Sequence, residues 1–236
     1  EGGRDVAQLV PILVSVSMLV NLIGLTGIAP KVSGVILDLG GTNIYLSLLI
    51  ATIVPFLLGT SLPTVPTYVL SVSILVPPLL KLGIDPVAAH FFFIYWSILG
   101  GATPPTCTAA VAAAGIAKAN WVKTGFFSVR LGIVAFILPY FFAINPALVA
   151  RAPWSEILIH GSTAFVGSIA IAYGLFSYRE CPVNFLVCAA FAVGGLLLLF
   201  PETMLSVIGF ILVGIALLAD RKFRSGGAAG GAATTL

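Results

Sequence analysis

The sequence predicts an all-α integral membrane protein, in which spanning helices accompany one re-entrant helical hairpin and one discontinuous helix. Of its 236 residues, 59% are hydrophobic and 8% are charged, whereas a soluble domain carries about 25% charged residues. Several apolar runs approach the length of about 20 residues that a helix needs to cross a bilayer. Two interruptions of these runs are rich in Gly, Thr and Pro and contain no charge, which predicts helices broken within the membrane.

Composition and spacing argue against several other classes of protein. Basic residues do not cluster with aromatic residues, which argues against nucleic-acid binding. The three cysteines, Cys107, Cys181 and Cys188, lack the spacing of a metal site, and we expect each to pack as a small apolar residue. No Ser/His or paired-Asp arrangement lies inside an apolar run, so we expect no enzyme activity. A channel would need a continuous polar pore rather than two separate breaks.

Residues 1–42 are predicted to form a spanning helix followed by a connector on the outer side. Val6–Ala29 has the length of a span, and the Gly-rich stretch KVSGVILDLGGT at Lys31–Thr42 is expected to be the connector. The chain begins with Glu1 rather than Met, and no signal peptide with a cleavage site precedes the first apolar run. A fragment or a processed product is therefore expected.

Residues 43–80 are predicted to form the re-entrant hairpin. Two short apolar runs, Asn43–Leu58 and Thr67–Leu80, flank the tip GTSLPTVP at Gly59–Pro66. Two runs this short around a Gly/Ser/Thr/Pro tip indicate a segment that dips into the membrane and returns to the same side. After this hairpin, the pair Asp85-Pro86 predicts a helix start, with Asp as the cap and Pro at the first position.

The discontinuous helix is predicted over residues 88–117. The run Ala88–Leu99 is followed by GGATPPT and then by Thr108–Ala117. Pro104 and Pro105 remove backbone donors and clash with the preceding turn, so the helix cannot continue through them. The hairpin and the discontinuous helix together form the predicted transport repeat, which covers residues 43–124.

The rest of the chain is predicted to contain four more spans and a tail. One span lies within residues 125–149, and a C-terminal extension of spanning helices occupies residues 150–222. The predicted spans are Gly125–Ile144, Ile157–Ser177, Val183–Phe200 and Leu205–Ala219. The Gly/Ala-rich tail at residues 223–236 is expected to be flexible.

The positions of the eleven Lys and Arg residues predict an orientation, because these residues favour the cytoplasmic side. With the C-terminus placed inside, the residues on the outer side are Lys31, Lys81 and Arg151. The residues inside are Arg4, Lys118, Lys123, Arg130, Arg179, Arg221, Lys222 and Arg224. Two full crossings over residues 43–80 would leave these sides unchanged, so charge does not separate that arrangement from the hairpin.

The two uncharged breaks suit a bound ion. Irregular backbone at membrane depth survives only inside protein or beside a watery cavity. The carbonyls at the end of a half-helix attract a cation, and the N–H groups at its start attract an anion. Sodium accepts neutral oxygen ligands such as carbonyls and Thr hydroxyls, and their number and placement set selectivity. The structural alternative is that Pro104 and Pro105 only kink a packed helix.

These residues also carry a family resemblance. The stretch GTSLPTVPTYVLSVSILVPPLLKLGIDPVAAHFFFIYWSILGGATPPTCTAAVAAAGIAKANWVKTG resembles the large membrane subunit of tripartite ATP-independent periplasmic (TRAP) transporters. The continuation FILPYFFAINPALV is similar to the fused permeases, in which small and large subunits form one chain. Only one hairpin and one broken helix are found, whereas a whole large subunit has two repeats. The chain is therefore expected to be the C-terminal half of a longer permease.

The resemblance implies a sodium-coupled elevator importer, built from inverted repeats, that takes up carboxylate-type organic solutes. It implies that a periplasmic solute-binding protein delivers the substrate. The missing partners are then the N-terminal half of the permease and the small-subunit region. The expected location is the bacterial or archaeal cytoplasmic (inner) membrane, with the C-terminus in the cytoplasm. The resemblance also places Na⁺ between the two breaks, with the implied ligands Gly59, Thr60, Ser61, Thr64, Gly100, Thr103 and Pro104.

Thr103 is the implied side-chain ligand for sodium, while Thr106 and Thr108 are expected to face the substrate. His90, near the outer end of the discontinuous helix, is expected to make an interfacial hydrogen bond. The alternative function is a related secondary transporter for citrate, a dicarboxylate or an inorganic oxyanion, which would work without a binding protein.

Overall fold

The computed structural model describes residues 11, 14–15, 17–22, 25–60, 62–104, 107–180 and 185–231, without the side chains of some helical residues. Every regular element in these ranges is helical, which confirms the predicted all-α class. The helices are α1 (Ile28–Gly40), α2 (Ile44–Gly59), α3 (Thr64–Lys81), α4 (Pro86–Ala102), α5 (Thr108–Ala117), α6 (Trp121–Leu131), α7 (Ile133–Ile144), α8 (Trp154–Glu180), α9 (Phe185–Leu199) and α10 (Thr203–Gly231), with a 3₁₀ turn at Pro146–Val149. The chain divides into two units, Glu1–Ile144 and Asn145–Leu236.

Within the described ranges, three helices are long and apolar enough to cross a membrane. These segments are Thr64–Lys81, Trp154–Leu175 and Thr203–Asp220. The pair α6 and α7 makes a fourth span if the two helices, which are bent by 42° relative to each other, are taken as one. Because α3 has 18 residues and a helix rises about 1.5 Å per residue, its length suits a full crossing as well as a hairpin arm. The re-entrant hairpin therefore stays a prediction.

Most of the predicted connector at Lys31–Thr42 is helical in the structure and belongs to helix α1. The apolar residues of this stretch follow helical spacing, and Gly34 causes no break. The helix ends instead at Gly41, where φ is +56° and the backbone N–H donates to Leu37 O. A glycine adopts such a positive φ without the steric cost that a side chain would add. The predicted span Val6–Ala29 lies largely outside the described residues.

Helices α2 and α4 begin at side-chain caps. The Asn43 side chain accepts hydrogen bonds from the N–H groups of Tyr45 and Leu46 at the start of α2. Asp85 accepts from Val87 N and Ala88 N at the start of α4, where Pro86 occupies the first turn. The prediction that Asp85-Pro86 starts a helix is thus confirmed, and its physical basis is the unpaired N–H groups of a first turn.

Helix α4 lies at the centre of the first unit, in contact with α2, α3 and α7. Phe92 and Phe93 on α4 are fully buried. The Trp96 ring makes edge contacts with Phe56 of α2 and Phe136 of α7, at centroid distances of 6.1 and 5.9 Å. Edge-to-face geometry of this kind adds to the burial energy of each ring. The aromatic rings therefore fix α4 against its neighbours.

The predicted span Gly125–Ile144 begins earlier and is bent. Asn120 caps α6 through bonds from Val122 N and Lys123 N, so this helix starts at Trp121. The bend of 42° falls at Gly132, between α6 and α7. The Gly132 N–H donates to Ser128 O over 2.8 Å, so the backbone stays hydrogen-bonded through the bend.

The second unit packs α9 against both α8 and α10. The predicted spans Ile157–Ser177, Val183–Phe200 and Leu205–Ala219 correspond to these three helices, which extend or shorten them at the ends. Small residues permit the close approach: a Cβ atom at Gly174 would lie 2.7 Å from Cys188 O. Such glycine contacts are typical of helix pairs in membranes.

The flexible tail predicted at residues 223–236 is partly replaced by helix, since α10 continues to Gly231. Extending an existing helix adds one hydrogen bond per residue, and alanine favours the helical conformation. Residues 232–236 lie outside the described part of the chain.

The glycine contact between α8 and α9 gives a stability prediction. Gly195→Ala places a Cβ atom 2.6 Å from Gly167 O and 2.9 Å from Ile171 N, both backbone atoms. Since backbone moves only with the whole helix, we expect a loss of stability of about 1–3 kcal/mol, as for other overpacked cores. Thermal unfolding of the purified chain in detergent measures it.

The matched control is Gly214→Ala on α10, where an added Cβ meets no atom within 4 Å. We expect this variant to unfold at the wild-type temperature or slightly above it, since alanine favours helix. Equal unfolding temperatures for the two variants would contradict the packing of α8 on α9.

Candidate functional site

The two predicted breaks meet at a contact between two glycines. A Cβ atom at Gly100 would lie 2.5 Å from Gly59 Cα, and one at Gly59 would lie 3.0 Å from Gly100 Cα. Gly59 is the last residue of α2, and Gly100 is in the last turn of α4. Only residues without a side chain allow two backbones to approach so closely. The C-terminal ends of both helices therefore lie side by side.

Thr103 follows α4 directly and is 3% exposed. Its hydroxyl donates to Leu99 O over 3.1 Å and to Gly100 O over 3.0 Å. These carbonyls belong to the last turn of the helix, which has no intrahelical donors of its own. The Thr103 hydroxyl oxygen and the two carbonyl oxygens thus form a small cluster of neutral oxygens at the end of α4.

Two further contacts hold the end of α4. The Ser128 hydroxyl of α6 donates to Ala102 O over 2.9 Å. The Cys107 N–H donates to Thr103 O over 3.0 Å. The expectation that the break leaves its carbonyls free needs correction at these positions, because nearby donors have already paired with them. A carbonyl oxygen keeps a second lone pair after one hydrogen bond, so these atoms retain the capacity to face a cation.

At the hairpin tip, the threonine side chains are placed differently from the prediction. The Thr60 hydroxyl donates to Leu57 O over 2.8 Å and caps α2. Thr64 is exposed, so its side chain does not face a buried site in the described part of the chain. The fully buried threonine of this region is Thr67, whose hydroxyl donates to Pro63 O over 3.0 Å. Sequence reasoning missed Thr67 because it lies one turn beyond the tip, where helical phase decides burial.

Some implied site residues lie outside the described part of the chain. They are Ser61 at the hairpin tip and Thr106, next to Pro105, in the break of the discontinuous helix. Thr108 is the first residue of α5, but its side chain is not among those described. The substrate roles of Thr106 and Thr108 therefore stay predictions.

A cavity of about 580 Å³ adjoins the break. Its walls are almost entirely apolar, and they include Thr52, Phe56, Trp96, Thr103, Pro104 and Phe136. The Thr52 hydroxyl pairs with the Tyr140 hydroxyl at 3.0 Å, which links α2 to α7 beside this cavity. This pair joins helices 88 positions apart in the sequence, and no local motif indicates it.

His90 bonds to a tyrosine on the neighbouring helix. Its Nδ1 lies 2.8 Å from the Tyr68 hydroxyl, which links α4 to α3. Hydrogen bonds between helices are a usual role for polar side chains in membrane proteins. The prediction of a hydrogen-bonding role is confirmed, and the partner is Tyr68.

The chemistry available at the breaks is that of neutral oxygen. Among the described residues, no group of three or more His, Cys, Asp and Glu side chains is arranged to hold a metal ion. The oxygen atoms that could coordinate a cation near the Gly59–Gly100 contact belong to backbone carbonyls and to the hydroxyls of Thr60 and Thr103. Carbonyl and hydroxyl oxygens suit a hard cation rather than a transition metal.

Comparison with known proteins identifies the family. The family described as "Tripartite ATP-independent periplasmic transporter, DctM component" matches residues 1–156. The chain belongs to the DctM family. No curated protein and no solved structure matches the chain. The matched range covers the whole first unit and the beginning of α8.

Membership of the DctM family makes the chain a TRAP transporter permease component. Transporters of this class depend on a periplasmic binding protein and on membrane subunits. Together with its apolar helices, the family indicates a multi-pass membrane protein. The resemblance stated from the sequence is confirmed at the level of the family. The match also favours the binding-protein-dependent transporter over the alternative that works without such a protein.

The glycine contact between the two breaks gives a second prediction. Gly100→Ala forces a Cβ atom against the backbone of Gly59, so α2 and α4 must move apart. We expect uptake by the complete permease to fall at least about tenfold, as for other small displacements of residues that position a bound substrate. Uptake of substrate into vesicles, corrected for the amount of permease, measures this loss.

Gly115→Ala is the matched control, because a Cβ atom added to α5 there meets nothing within 4 Å. We expect its uptake to equal that of the wild type. Wild-type uptake by Gly100→Ala would show that the close approach of the two breaks is not needed for transport.

Proposed function

We propose that the chain is the C-terminal half of a fused-type TRAP permease that couples the import of carboxylate-type solutes to sodium. The observation that carries this proposal is the Gly59–Gly100 contact, because it brings the ends of α2 and α4 to one place. Family membership supplies the transporter class. Sodium coupling, substrate type and the fused arrangement are our inferences.

The electrostatics of the helix ends support a cation at this place. Each helix carries a partial negative charge, equivalent to roughly half an elementary charge, at its C-terminal end. The ends of α2 and α4, at Gly59 and Ala102, therefore attract a positive ion together. The oxygens of Thr103 and Gly100 offer ligands without charge, which suits a monovalent cation held reversibly.

The starts of the next helices support an anionic substrate. Helix α3 begins at Thr64, within the predicted tip, and α5 begins at Thr108, shortly after the proline pair. The N-terminal ends of helices favour anions, since their first N–H groups have no intrahelical partner. We infer that a carboxylate of the substrate binds near these starts, next to the sodium ion.

The proposed mechanism is alternating access by an elevator motion. Sodium bound between the two breaks would hold α2 against α4, and the substrate would bind beside it. The mobile unit would then carry both across the membrane, past a fixed scaffold. Sodium coupling follows if the substrate binds well only when the cation has fixed the breaks, since binding at the two sites is then linked.

The proposed partners and location follow from the same assignment. The partners are a periplasmic solute-binding protein, the N-terminal half of the permease and the small-subunit region. The proposed location is the cytoplasmic membrane of a bacterium or archaeon, with the C-terminus inside. Arg221, Lys222 and Arg224 support this orientation because they follow the last apolar run.

Thr103 provides the test of the sodium site. Thr103→Ala removes an oxygen that lies within 3.1 Å of two carbonyl oxygens. We expect the sodium concentration at half-maximal uptake to rise about tenfold, which corresponds to about 1.4 kcal/mol. Thr103→Ser keeps the oxygen, and its sodium dependence should stay close to that of the wild type. The assay is uptake by the complete permease with its binding protein in proteoliposomes.

Thr163→Ala is the matched control, since this buried hydroxyl also donates to a carbonyl three residues before it, His160 O. It lies in the second unit and should leave the sodium requirement unchanged. An unchanged sodium requirement in Thr103→Ala would remove Thr103 from the site, and uptake independent of sodium would refute the coupling itself.

A further inference from the structure

We propose that helix α6 holds the end of α4 in position and that Ser128 is a positioning residue for the cation site. This inference rests on the proposed function, because the site concerned is the one between the two breaks. It assigns a role to a helix that contains none of the implied sodium or substrate ligands. Three contacts of α6 support it.

The first contact is the hydrogen bond between α6 and α4. Ser128 is half-buried, and its hydroxyl lies 2.9 Å from Ala102 O and 2.8 Å from Gly125 O. A serine in a helix commonly shares its hydrogen with a carbonyl of its own helix. The bond to Ala102 is different, since it reaches the last residue of α4, next to Thr103. Ser128 thus fixes a carbonyl that helix geometry leaves without a donor.

The second contact lies on the other side of the break. A Cβ atom at Gly125 would lie 2.9 Å from Cys107 Sγ and 3.4 Å from Pro104 Cγ. Cys107 is fully buried, and its φ of +29° is unusual for a residue with a side chain. Strained backbone persists only where the surrounding structure imposes it. Gly125 therefore allows α6 to pack directly on the residue that precedes α5.

The third contact links the same serine to the bend. The backbone carbonyl of Ser128 accepts the Gly132 N–H over 2.8 Å, at the point where α6 and α7 meet. The side chain of Ser128 thus contacts the end of α4, while its backbone carbonyl accepts a hydrogen bond at the bend between α6 and α7. A change in the bend would move the donor that holds Ala102 O.

These contacts imply that sodium binding and the position of α6 are coupled. If sodium requires the end of α4 in its held geometry, then α6 pre-organises the site, and loss of the Ser128 donor weakens sodium binding. By linkage, bound sodium must in turn stabilise α6 against the break. Ser128 would act through Ala102 and Thr103, without touching the ion.

The first test measures uptake by the complete permease as a function of sodium. Ser128→Ala should raise the sodium concentration at half-maximal uptake about fivefold, the effect of one lost hydrogen bond. Maximal uptake at saturating sodium should stay near the wild-type value, because the ligands remain. Ser128→Thr keeps the hydroxyl and should restore the wild-type sodium requirement. A general structural defect would instead lower maximal uptake in both variants.

Ser162→Ala is the matched control for this test. The Ser162 hydroxyl donates over 2.8 Å to Ile159 O, three residues before it on its own helix. Its removal should leave the sodium requirement unchanged. If Ser128→Ala does not reach the membrane, Ser128→Cys keeps the size with a weaker donor and should also raise the requirement. A wild-type sodium requirement in whichever of the two variants is measured overturns the proposal.

The second test does not depend on transport. Cys107 is fully buried in the held arrangement, so a maleimide should alkylate it slowly once Cys181, Cys188 and any other cysteines are replaced by alanine. Ser128→Ala should accelerate this alkylation about fivefold, and sodium, compared with potassium, should slow it in the wild type. Equal rates with and without the Ser128 hydroxyl would contradict the role of α6.

The two proposals fail in different ways. If Thr103→Ala leaves the sodium requirement unchanged, the proposed site itself is wrong. If Thr103→Ala raises the requirement and Ser128→Ala does not, the site stands and the role of α6 is refuted. In the double variant that combines Thr103→Ala with Ser128→Ala, the rise in the sodium requirement should be less than the two single effects together, because both residues belong to one network.

Discussion

The close approach of Gly59 and Gly100 is the contact on which the rest of the candidate site depends. Two helices end there, and nearby hydroxyl and N–H groups donate to the backbone carbonyls of both ends. Any side chain at either position would separate these ends. Under the proposed function, the missing side chains let two helix ends attract one cation, because the partial negative charges of both ends lie together without a full charge in the membrane.

The surrounding structure supports this contact from several directions. The aromatic rings of Phe56, Trp96 and Phe136 fix α4 between α2 and α7. The Thr52–Tyr140 pair adds a polar link between α2 and α7. Ser128 and Gly125 hold the residues on both sides of the break. The site is therefore broken backbone held by packed helices, which is the condition under which such backbone survives in a membrane.

Much of the fold follows from the sequence because apolar length and helix punctuation are local signals. Asp85-Pro86 predicts the start of α4, and the break after Ala102 falls beside the proline pair. The errors arise where glycine was taken as a break. Gly34 lies inside a helix, while Gly41 ends it with a positive φ, and only the conformation distinguishes such glycines. The bend at Gly132 is the opposite case, because Gly125–Ile144 was predicted as one uninterrupted span.

The sequence predicts several residues of the candidate site, but it does not predict the contacts between the helices that form it. Thr103, Gly59 and Gly100 lie in the two uncharged breaks, which the sequence reveals as interruptions of apolar runs. Thr67 and Ser128 lie in ordinary helical sequence, and their roles depend on helical phase and on which helix packs nearby. The sequence likewise does not predict which donors pair with the carbonyls at the end of α4, since Ser128 lies 26 positions from Ala102 in the chain.

The central claim is that two helix ends, brought together by glycine, form one site for sodium. Its most direct test is the thermal unfolding of the purified complete permease in sodium and in potassium at equal ionic strength. Since a ligand that binds only the folded state stabilises it by mass action, the unfolding temperature should rise with sodium concentration and stay constant in potassium. Equal unfolding temperatures in the two salts at every concentration would contradict the claim.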